Sequence, residues 1–273
     1  MTVTDPPNIA DTGTTIAAHF TQIARSYQRY WSHALLPASR QLVDSLPLAK
    51  ARSVLEAGAG VGALYPTLAA AAPHARIVLT DPAGGMLRLA PTAAGRARAT
   101  ADQLPFRDGS FDAAILAFML QYLPDARHFS LREVRRLLRP GGHVGIAGWG
   151  TMAESVADQR WLTALDAAGA PQANRLATYY QAADSTEKLR ETLTSAGYRD
   201  VQVRTLSWSD QPDLETFLHR QQVLGASGRR LAPWDPTRRA AFVSRMRLEL
   251  GTLPVQAFLN RSEVLAATAR APR

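Results

Sequence analysis

A glycine-rich segment near residue 60 has the residue types that best suit the binding of a small ligand. Gly58, Gly60 and Gly62 follow a short apolar run that ends with Glu56, and small, mostly apolar residues follow them. A glycine turn between a strand and a helix lets the backbone approach a ligand closely, and the start of the helix offers unpaired N–H groups. We therefore predict a cofactor site at this turn.

Asp81 is the second residue that suggests cofactor binding, because it ends the next apolar run. A carboxylate at that place, about 20 residues beyond the turn, can accept hydrogen bonds from both hydroxyls of a ribose. Gly58, Gly60 and Ala63 also satisfy the Gly-x-Gly-x-x-Gly/Ala spacing of dinucleotide-binding proteins. The turn and the acid by themselves do not distinguish a dinucleotide from another cofactor that contains a ribose.

The chain around these residues alternates between predicted strands and predicted helices. Apolar runs predict strands at 53–56, 76–81, 96–101, 111–118 and 143–148. Helical patterns occupy 63–72, 86–89 and 126–138. Such alternation produces right-handed crossovers and a parallel sheet that helices cover on both faces. The expected fold class is therefore α/β with a doubly wound sheet.

The segments on either side of this core are mostly helical. Residues 14–46 have apolar residues at spacings of three and four, which predicts two helices before the first strand. Beyond residue 149 the alternation stops. The remaining predictions are helices without a strand within 151–183, a helix at 185–196, a strand at 201–208, helices at 213–224 and 236–250, and a last strand at 263–269.

The composition excludes several classes of protein. The 273 residues are 46% hydrophobic and 20% charged, and no apolar stretch reaches the roughly 18 residues that a membrane span needs. The absence of cysteine excludes disulfides and thiolate chemistry. The start of the chain, Met1–Asp11, lacks the pattern of a secretory signal. We therefore expect a cytoplasmic protein that does not insert into a membrane.

The net charge of +8 raises the question of a nucleic-acid partner. Of the 31 cationic residues only Lys50 and Lys188 are lysines, and the arginines are scattered through an alanine-rich chain. That distribution favours compositional bias and solvated helix faces over a nucleic-acid footprint. We therefore expect a small-molecule partner rather than a nucleic acid.

Five consecutive blocks of sequence resemble the class I S-adenosylmethionine (SAM)-dependent methyltransferases, above all the quinone-biosynthesis and small-molecule (type 11) group. The blocks begin at Glu56, Asp81, Ala101, Ala117 and Leu131, and they keep the family's order and spacing between about residues 54 and 148. The resemblance implies a seven-stranded, Rossmann-like doubly wound sheet, mostly parallel with its last strand antiparallel. It also implies that SAM is the methyl donor and S-adenosylhomocysteine (SAH) the product.

The same resemblance implies a division of the chain into a core and helical lids. Residues 1–50 would form an N-terminal helical lid, 51–150 the SAM-binding core and 151–184 a helical lid insertion. Residues 185–273 would complete the core and carry a helical insertion at about 211–252.

The resemblance assigns cofactor contacts residue by residue. Glu56 corresponds to the acid near the cofactor's amino group, Asp81 to the ribose acid and Asp102 to the acceptor of the adenine amino group. Met86 stands where relatives pack a side chain on the adenine, and Phe118 where the backbone reaches the methionyl end. The full set implied for SAM is Glu56, Gly58, Ala59, Gly60, Gly62, Asp81, Pro82, Met86, Asp102, Gln103 and Phe118.

Methyl transfer from a sulfonium is an in-line displacement, so the protein mainly supplies positioning and, for some acceptors, a base. The candidates for these roles are His33, Tyr27, Tyr179 and His219. A lone histidine is more often a surface or structural residue than a catalytic base, so His33 and His219 can also be purely structural. Many relatives carry a histidine where Gln121 stands, which argues against a histidine base there. Metal-ligand spacing is absent from the sequence, and we expect no metal.

Aromatic residues are frequent in the segments that close over the acceptor in relatives. They are Tyr27, Tyr30, Trp31, Trp149, Trp161, Tyr179 and Tyr180. They indicate an apolar or aromatic acceptor, such as a quinone or another secondary metabolite, or else packing between helices. Whether oxygen, nitrogen or carbon is methylated stays open.

Three other functions remain as alternatives. An RNA methyltransferase is suggested by the charge and by the arginines at 229, 230, 238, 239, 245 and 247. An NAD-dependent oxidoreductase would share the glycine turn, and a non-catalytic SAM-binding protein would share the fold. A homodimer is also left open.

Overall fold

Seven strands form one mixed sheet in the computed structural model, which describes residues 9–123, 127–172 and 184–273. The strands are β1 (Ser53–Ala57), β2 (Arg76–Thr80), β3 (Gly95–Ala97), β4 (Phe111–Ala117), β5 (Leu138–Ala153), β6 (Arg199–Asp210) and β7 (Asn260–Arg270). Their order is β3-β2-β1-β4-β5-β7-β6. Neighbours from β3 to β5 are parallel, whereas β7 is antiparallel to both β5 and β6. The expected Rossmann-like sheet is confirmed.

The strand order reverses between β1 and β4, which pair side by side at the centre of the sheet. From β1 the chain proceeds outwards to β2 and β3, and from β4 it proceeds in the other direction. In doubly wound sheets, ligands bind at the carboxyl ends of the strands beside such a reversal. The glycine turn follows β1 and Phe118 follows β4, so the topology brings both to this point.

The helices match most of the sequence predictions. They are α1 (Ile9–Tyr30), α2 (Ser32–Asp44), α3 (Tyr65–Ala71), α4 (Gly84–Leu89), α5 (Arg127–Leu137), α6 (Val156–Ala167), α7 (Thr186–Ser195), α8 (Leu214–Val223), α9 (Gly225–Leu231) and α10 (Pro236–Leu250). Single-turn 3₁₀ helices lie at Leu120–Tyr122 and Val255–Phe258.

The structure corrects three details of the predicted elements. β5 continues to Ala153, where no strand was predicted, because Met152 and Ala153 pair with β7 beyond a bulge after Trp149. β3 is only three residues long rather than covering 96–101. Residues 225–231 form a separate helix, α9, that no sequence pattern indicated. Long-range pairing and packing decide these boundaries, and local periodicity does not report them.

Helices cover both faces of the sheet. Consecutive residues of β1 point to opposite faces, so Val54 packs with Leu42 of α2 and Leu68 of α3 on one side. Leu55 packs on the other side with Leu131 of α5 and with the buried face of α7. These two fully buried layers hold the strand ends, and hence the glycine turn, in fixed positions.

Beside the sheet, α6, α8, α9 and α10 form a helical cap with its own hydrophobic core. Trp161 of α6 is fully buried at the centre of this cap. Its ring lies 6.1 Å from that of Phe217 and 5.1 Å from that of Phe242, both edge to face. Trp161, which was one of the aromatic residues considered for the acceptor side, is thus a core residue of the cap.

Arg220 of α8 joins the cap to the N-terminal helices. Its buried guanidinium pairs with Asp210, and Nε donates a hydrogen bond of 2.6 Å to the carbonyl of Tyr30. The guanidinium carbon also lies 4.9 Å from the centre of the Trp31 ring. Since α1 ends at Tyr30 and α2 begins at Ser32, these contacts fix the junction between the two helices.

Within the described part of the chain, no helix combines the length and the apolar character that a membrane crossing requires.

Candidate functional site

The turn after β1 adopts backbone angles that favour glycine. Gly58, Gly60 and Gly62 have φ values of 70°, 56° and 69°, in the left-handed region. The amide of Ala59 donates to the carbonyl of Thr80 at 2.9 Å, which ties the turn to the end of β2. The sequence therefore uses glycine here because the chain must bend sharply between β1 and α3.

The three glycines face different surroundings. A Cβ on Gly58 would lie 2.8 Å from Cβ of Met119, and one on Gly62 would lie 2.7 Å from Cδ of Pro91. Both positions therefore need glycine for packing inside the protein. A Cβ on Gly60 would meet only a ring carbon of Tyr27, at 3.9 Å. Gly60 is the glycine of the turn whose face is open to a ligand.

Asp81 connects the end of β2 to the glycine turn. Its Oδ2 accepts a hydrogen bond from the amide of Gly60 at 2.9 Å, and its Oδ1 accepts one from the amide of Ala83 at 2.8 Å. Burial raises the pKa of this carboxyl group, and the two amide donors oppose that rise. Because each carboxylate oxygen can accept more than one hydrogen bond, both keep capacity for a ribose.

Glu56 is buried at the end of β1 without a compensating charge. It is 4% exposed, and its Oε2 has no hydrogen-bond partner among the residues that the structure describes. Burial, and secondly the nearby charge of Asp81, raise the pKa of Glu56 to about 8. A buried polar group of this kind is costly unless it is paired. A cationic ligand group beside Oε2 would supply the missing partner.

The chain leaves β4 through an unusual conformation at Phe118, where φ is 54°. The amide of Phe118 donates to the carbonyl of Ala147 at 2.7 Å, and its ring packs 4.9 Å from the ring of Trp149. The buried side chain of Gln121 donates from Nε2 to the Phe118 carbonyl at 2.6 Å. In the sequence, Gln121 was noted only because it replaces a histidine found in many relatives, and this contact was not predicted.

Helix α1 covers the part of the site next to Met86. Met86 is 2% exposed and packs with Ala24 of α1, Val61 and Ala83. At Gly85 of α4 the helices are in direct contact, because a Cβ there would collide with the Thr21 carbonyl. In this arrangement the side chain that was expected to face an adenine ring lies beneath α1.

The remaining predicted cofactor residues lie on loops after β2 and β3. Asp102 is half-buried, and its carboxylate has no hydrogen bond with any described residue. Gln103 is exposed, and its amide donates to the Thr100 carbonyl at 3.2 Å. The Pro82 carbonyl accepts a hydrogen bond from Nε of Arg98 at 2.9 Å. Within the described part of the chain, the Asp102 carboxylate is therefore unengaged, whereas the Gln103 amide and the Pro82 carbonyl already form hydrogen bonds.

The catalytic candidates do not form one cluster. Tyr27 lies over Gly60, whereas His33 is exposed on α2. His219 lies in a cavity of about 360 Å³ between α1 and α8, with its ring 4.0 Å from that of Tyr30. Burial, and secondly the charge of Arg29, lower the pKa of His219. Tyr179, like Tyr180, lies outside the described residues.

A row of aromatic rings extends from Phe118 towards the N-terminal helices. The ring centre of Trp149 lies 4.9 Å from those of both Phe118 and Trp208. The ring centre of Trp208 lies 6.3 Å from that of Trp31. Nε1 of Trp208 donates to the Ala34 carbonyl at 2.7 Å, which fixes its ring. Trp208 was not among the aromatic residues that were considered from the sequence for the acceptor side. Its place in the alternating pattern of β6 nevertheless marks it as a residue that points inwards.

The residues at the reversal of strand order fit a nucleoside cofactor that carries a cationic amino acid moiety. The open face of Gly60 offers room, Asp81 offers two acceptor oxygens and Glu56 offers a buried oxygen that lacks a partner. Among the described residues, no group of histidine and acidic side chains has the arrangement of a metal site.

Comparison with known proteins identifies the family. The family model "Methyltransferase domain" matches residues 55–146. The chain is 30% identical over 220 residues to a demethylmenaquinone methyltransferase of Mycolicibacterium gilvum, covering 70% of this chain and 90% of that protein. It is 33% identical over 183 residues to a malonyl-[acyl-carrier protein] O-methyltransferase of Geobacter sulfurreducens, covering 63% and 66% of the two chains.

Solved structures share the fold at low sequence identity. The YcgJ protein of Bacillus subtilis matches with a TM-score of 0.55 at 15% identity, over 88% of this chain and 99% of that one. Phosphoethanolamine N-methyltransferase 2 of Haemonchus contortus matches with a TM-score of 0.56 at 16% identity, over 99% of this chain and 62% of that one. The sheet order, the matched domain and the sequence identity agree, and the chain belongs to the class I SAM-dependent methyltransferases of the ubiquinone/menaquinone type.

Proposed function

We propose that Glu56, Gly60 and Asp81 hold SAM at the reversal of strand order, and that the acceptor is an apolar or aromatic small molecule. In this proposal Asp81 binds the ribose and the Gly60 face lies against the methionyl part. Glu56 pairs with the cationic amino group. Asp102, Met86 and the Phe118 backbone complete the set of contacts, with Gly58, Ala59, Gly62, Pro82 and Gln103 shaping the loops around them.

The observation that carries the proposal is the unpaired Oε2 of Glu56. The oxygen is buried beside Asp81, on a strand that ends at the glycine turn. A structural carboxylate in such a place would be paired with an arginine or with amides, as Asp112 is with Arg139 and with the amides of Arg52 and Ser53. Among the described residues Glu56 has neither, and a cationic ligand group would account for both its burial and its unpaired oxygen.

SAM supplies an activated methyl group, so no covalent intermediate with the protein is needed. The protein's own residues then orient the reactants and exclude water. α1 covers the turn through Tyr27, and the rings of Phe118 and Trp149 lie at the end of β4. Proximity and orientation of this kind can lower the barrier by about 7–11 kcal/mol at the upper end. Of the described candidates for contacting the acceptor, Tyr27, His33 and His219, we retain Tyr27, because it lies at the glycine turn and the other two do not.

The aromatic row of Trp31, Trp149, Trp208 and Phe118 supports an apolar or aromatic acceptor. The demethylmenaquinone methyltransferase relative acts on a quinone-like ring by its name, which agrees with that choice. The malonyl-[acyl-carrier protein] O-methyltransferase relative shows by its name that similar chains also methylate a carboxylate. We therefore propose a ring-bearing acceptor first, and a carboxylate on an apolar chain as the second class to test.

The arginines of the cap support a small molecule over RNA, because internal contacts engage most of them. Arg230 is buried and pairs with Asp166, and Arg247 pairs with Glu215. Arg238 lies 4.1 Å from the Trp234 ring centre and donates to the Ala168 carbonyl. Arginines that already form contacts within the cap are less available to neutralise phosphates. An RNA acceptor would require binding that weakens steeply with salt.

One calorimetric experiment tests the proposal. The full chain is titrated with SAM, SAH and NAD, and methylation is then followed across a panel of quinones, phenols and carboxylates. We expect saturable binding of SAM and SAH, no binding of NAD, and methyl transfer to an aromatic acceptor. Binding of NAD without SAM would contradict the cofactor site. Methylation of polar metabolites alone would contradict the proposed acceptor class.

A further inference from the structure

The bend after β4 has a conformation that its own residue does not favour. Phe118 has a Cβ, yet its φ of 54° lies in the left-handed region, which such residues rarely adopt. Conformations of this kind persist only where surrounding contacts determine them, and they concentrate at functional sites. The contacts that hold Phe118 therefore identify the residues that shape this wall of the site.

Three contacts fix Phe118, and each acts on a different group. The amide donates to Ala147, the ring packs on Trp149, and the carbonyl accepts the hydrogen bond from Gln121 at 2.6 Å. The backbone hydrogen bonds of the next turn run from Tyr122 to Met119 and from Leu123 to Leu120. Neither of these bonds uses the Phe118 carbonyl, which accepts its hydrogen bond from the buried Gln121 side chain.

The bend also determines where the next residue packs. Met119 lies directly against the glycine turn, since a Cβ on Gly58 would come within 2.8 Å of Cβ of Met119. A change of backbone at Phe118 would therefore move Met119 relative to Gly58. The side chain of Gln121 thus connects the exit of β4 to the turn that follows β1.

We propose that Gln121 is a positioning residue, which holds the Phe118 backbone in its left-handed conformation and thereby keeps the end of β4 shaped for SAM. The proposal rests on the function proposed above. Gln121 acts through Phe118 and not by contact with the reacting atoms. The donated proton is what matters, because a carboxylate at this position would present a second acceptor to the Phe118 carbonyl.

Two variants whose side chains are close in size to glutamine separate the effect of proton donation from that of shape. Gln121→Met removes the donor, and Gln121→Glu replaces it with a group that donates only when protonated. We expect SAH affinity of the full chain, measured by calorimetry, to fall about tenfold in Gln121→Met, as for the loss of one buried hydrogen bond. Gln121→Glu should bind more weakly still at about pH 8 and recover towards the wild-type value as the pH falls to about 5.

Charged groups near position 121 are present in every variant. Arg127 is buried and donates from Nε to the Leu120 carbonyl at 3.4 Å, and Glu56 lies on the neighbouring strand β1. Each affinity is therefore expressed relative to the wild type at the same pH, so that the titration shared by all variants cancels. Gln256→Glu, on an exposed 3₁₀ turn, introduces the same charge and should bind SAH like the wild type.

Several results would overturn the proposal. Wild-type affinity in Gln121→Met would show that the donor is not needed. Wild-type affinity in Gln121→Glu at every pH would show that shape alone matters, because the glutamate keeps the shape of the side chain and loses the donor when it is ionised. If Gln121→Met does not fold, the pH series of Gln121→Glu still decides.

Failure of the wild type to bind SAH would contradict the proposed function itself. The wild-type titration alone is enough to detect that outcome. The near-ultraviolet circular dichroism of the aromatic side chains then tests Gln121 separately. The Phe118 ring packs on Trp149, so this spectrum should differ between wild type and Gln121→Met. An unchanged spectrum would overturn the role of Gln121 on its own.

Discussion

The buried ionisable groups of the helical cap form ion pairs, whereas those at the carboxyl edge of the sheet do not. In the cap, Arg220 pairs with Asp210 of β6, and Arg230 pairs with Asp166. At the sheet edge, Glu56 and Asp81 take part in no ion pair within the described residues. Because burying an ionisable group without a partner is costly, we infer that a region that keeps one has another use for it. The paired groups thus stabilise the cap, and the unpaired groups support the proposal that the sheet edge binds a ligand.

The cap should be the region whose damage costs most stability and least cofactor binding. Trp161→Ala removes a fully buried ring between Phe217 and Phe242, and we expect the free energy of unfolding to fall by about 3–5 kcal/mol. SAH affinity at low temperature should not change. Thermal unfolding and calorimetry measure the two effects, with Trp161→Phe as the milder control. A large loss of SAH affinity would show that the two regions are not separable.

Asp81→Asn tests the opposite region, with its main effect on binding. The amide NH₂ group would face either the Gly60 or the Ala83 amide, so one hydrogen bond to the turn is lost together with the carboxylate charge. We expect SAH affinity to fall about 100-fold, since a hydrogen bond to a charged group contributes about 1.5–3 kcal/mol.

Asp108→Asn is the matched control for Asp81→Asn. Asp108 is exposed and pairs with Arg136, so the substitution should change stability by less than about 1 kcal/mol. SAH affinity should stay at the wild-type value. Equal affinities in the two variants would mean that Asp81 does not bind the cofactor.

Gly60→Ala and Gly109→Ala separate backbone strain from ligand contact. Both glycines have a left-handed backbone, with φ values of 56° and 61°, and neither Cβ would meet an atom closer than 3.9 Å. We expect each substitution to cost about 1–2 kcal/mol of stability. Only Gly60→Ala should weaken SAH binding in calorimetry. A similar affinity for both would show that the ligand does not use the open face of Gly60.

Titration of Glu56 gives the most specific effect. Burial and the charge of Asp81 raise its pKa from 4.5 to about 8, so the folded, ligand-free protein keeps a proton that the unfolded chain loses. The free energy of unfolding should therefore decline as the pH rises from about 4.5 to about 8, and level off above it. SAM affinity should change in the opposite direction, rising at most about tenfold per pH unit up to about 8.

The measurement that checks this titration is calorimetry in buffers of different ionisation enthalpy. SAM binding near neutral pH should release a proton from Glu56, and Glu56→Gln should abolish that release. The substitution should also flatten the pH dependence of stability, because the amide does not titrate. Binding without proton release in the wild type would show that the Glu56 carboxyl group does not pair with a cationic group.

The residues proposed for the cofactor could be selected from the sequence because they lie close together in the chain. Glu56, the glycines and Asp81 lie within one strand–turn–helix–strand unit, where residue spacing fixes relative position. The seven strands were predicted for the same reason, since apolar runs report buried strands directly. The assigned contacts to SAM stay predictions, and among the acceptor candidates Tyr27, His33 and His219 were indistinguishable in the sequence.

The sequence by itself determined the strand–helix alternation, the glycine turn and the two acids, because short-range spacing encodes each of them. Only the tertiary structure decided that α1 covers Met86, that Trp161 belongs to the cap and that Trp208 joins the aromatic row. It also decided that Gln121 holds Phe118, because this bond forms only where the chain has already bent into a left-handed turn. Contacts between residues distant in the chain depend on how the layers pack, and local patterns carry no record of that packing.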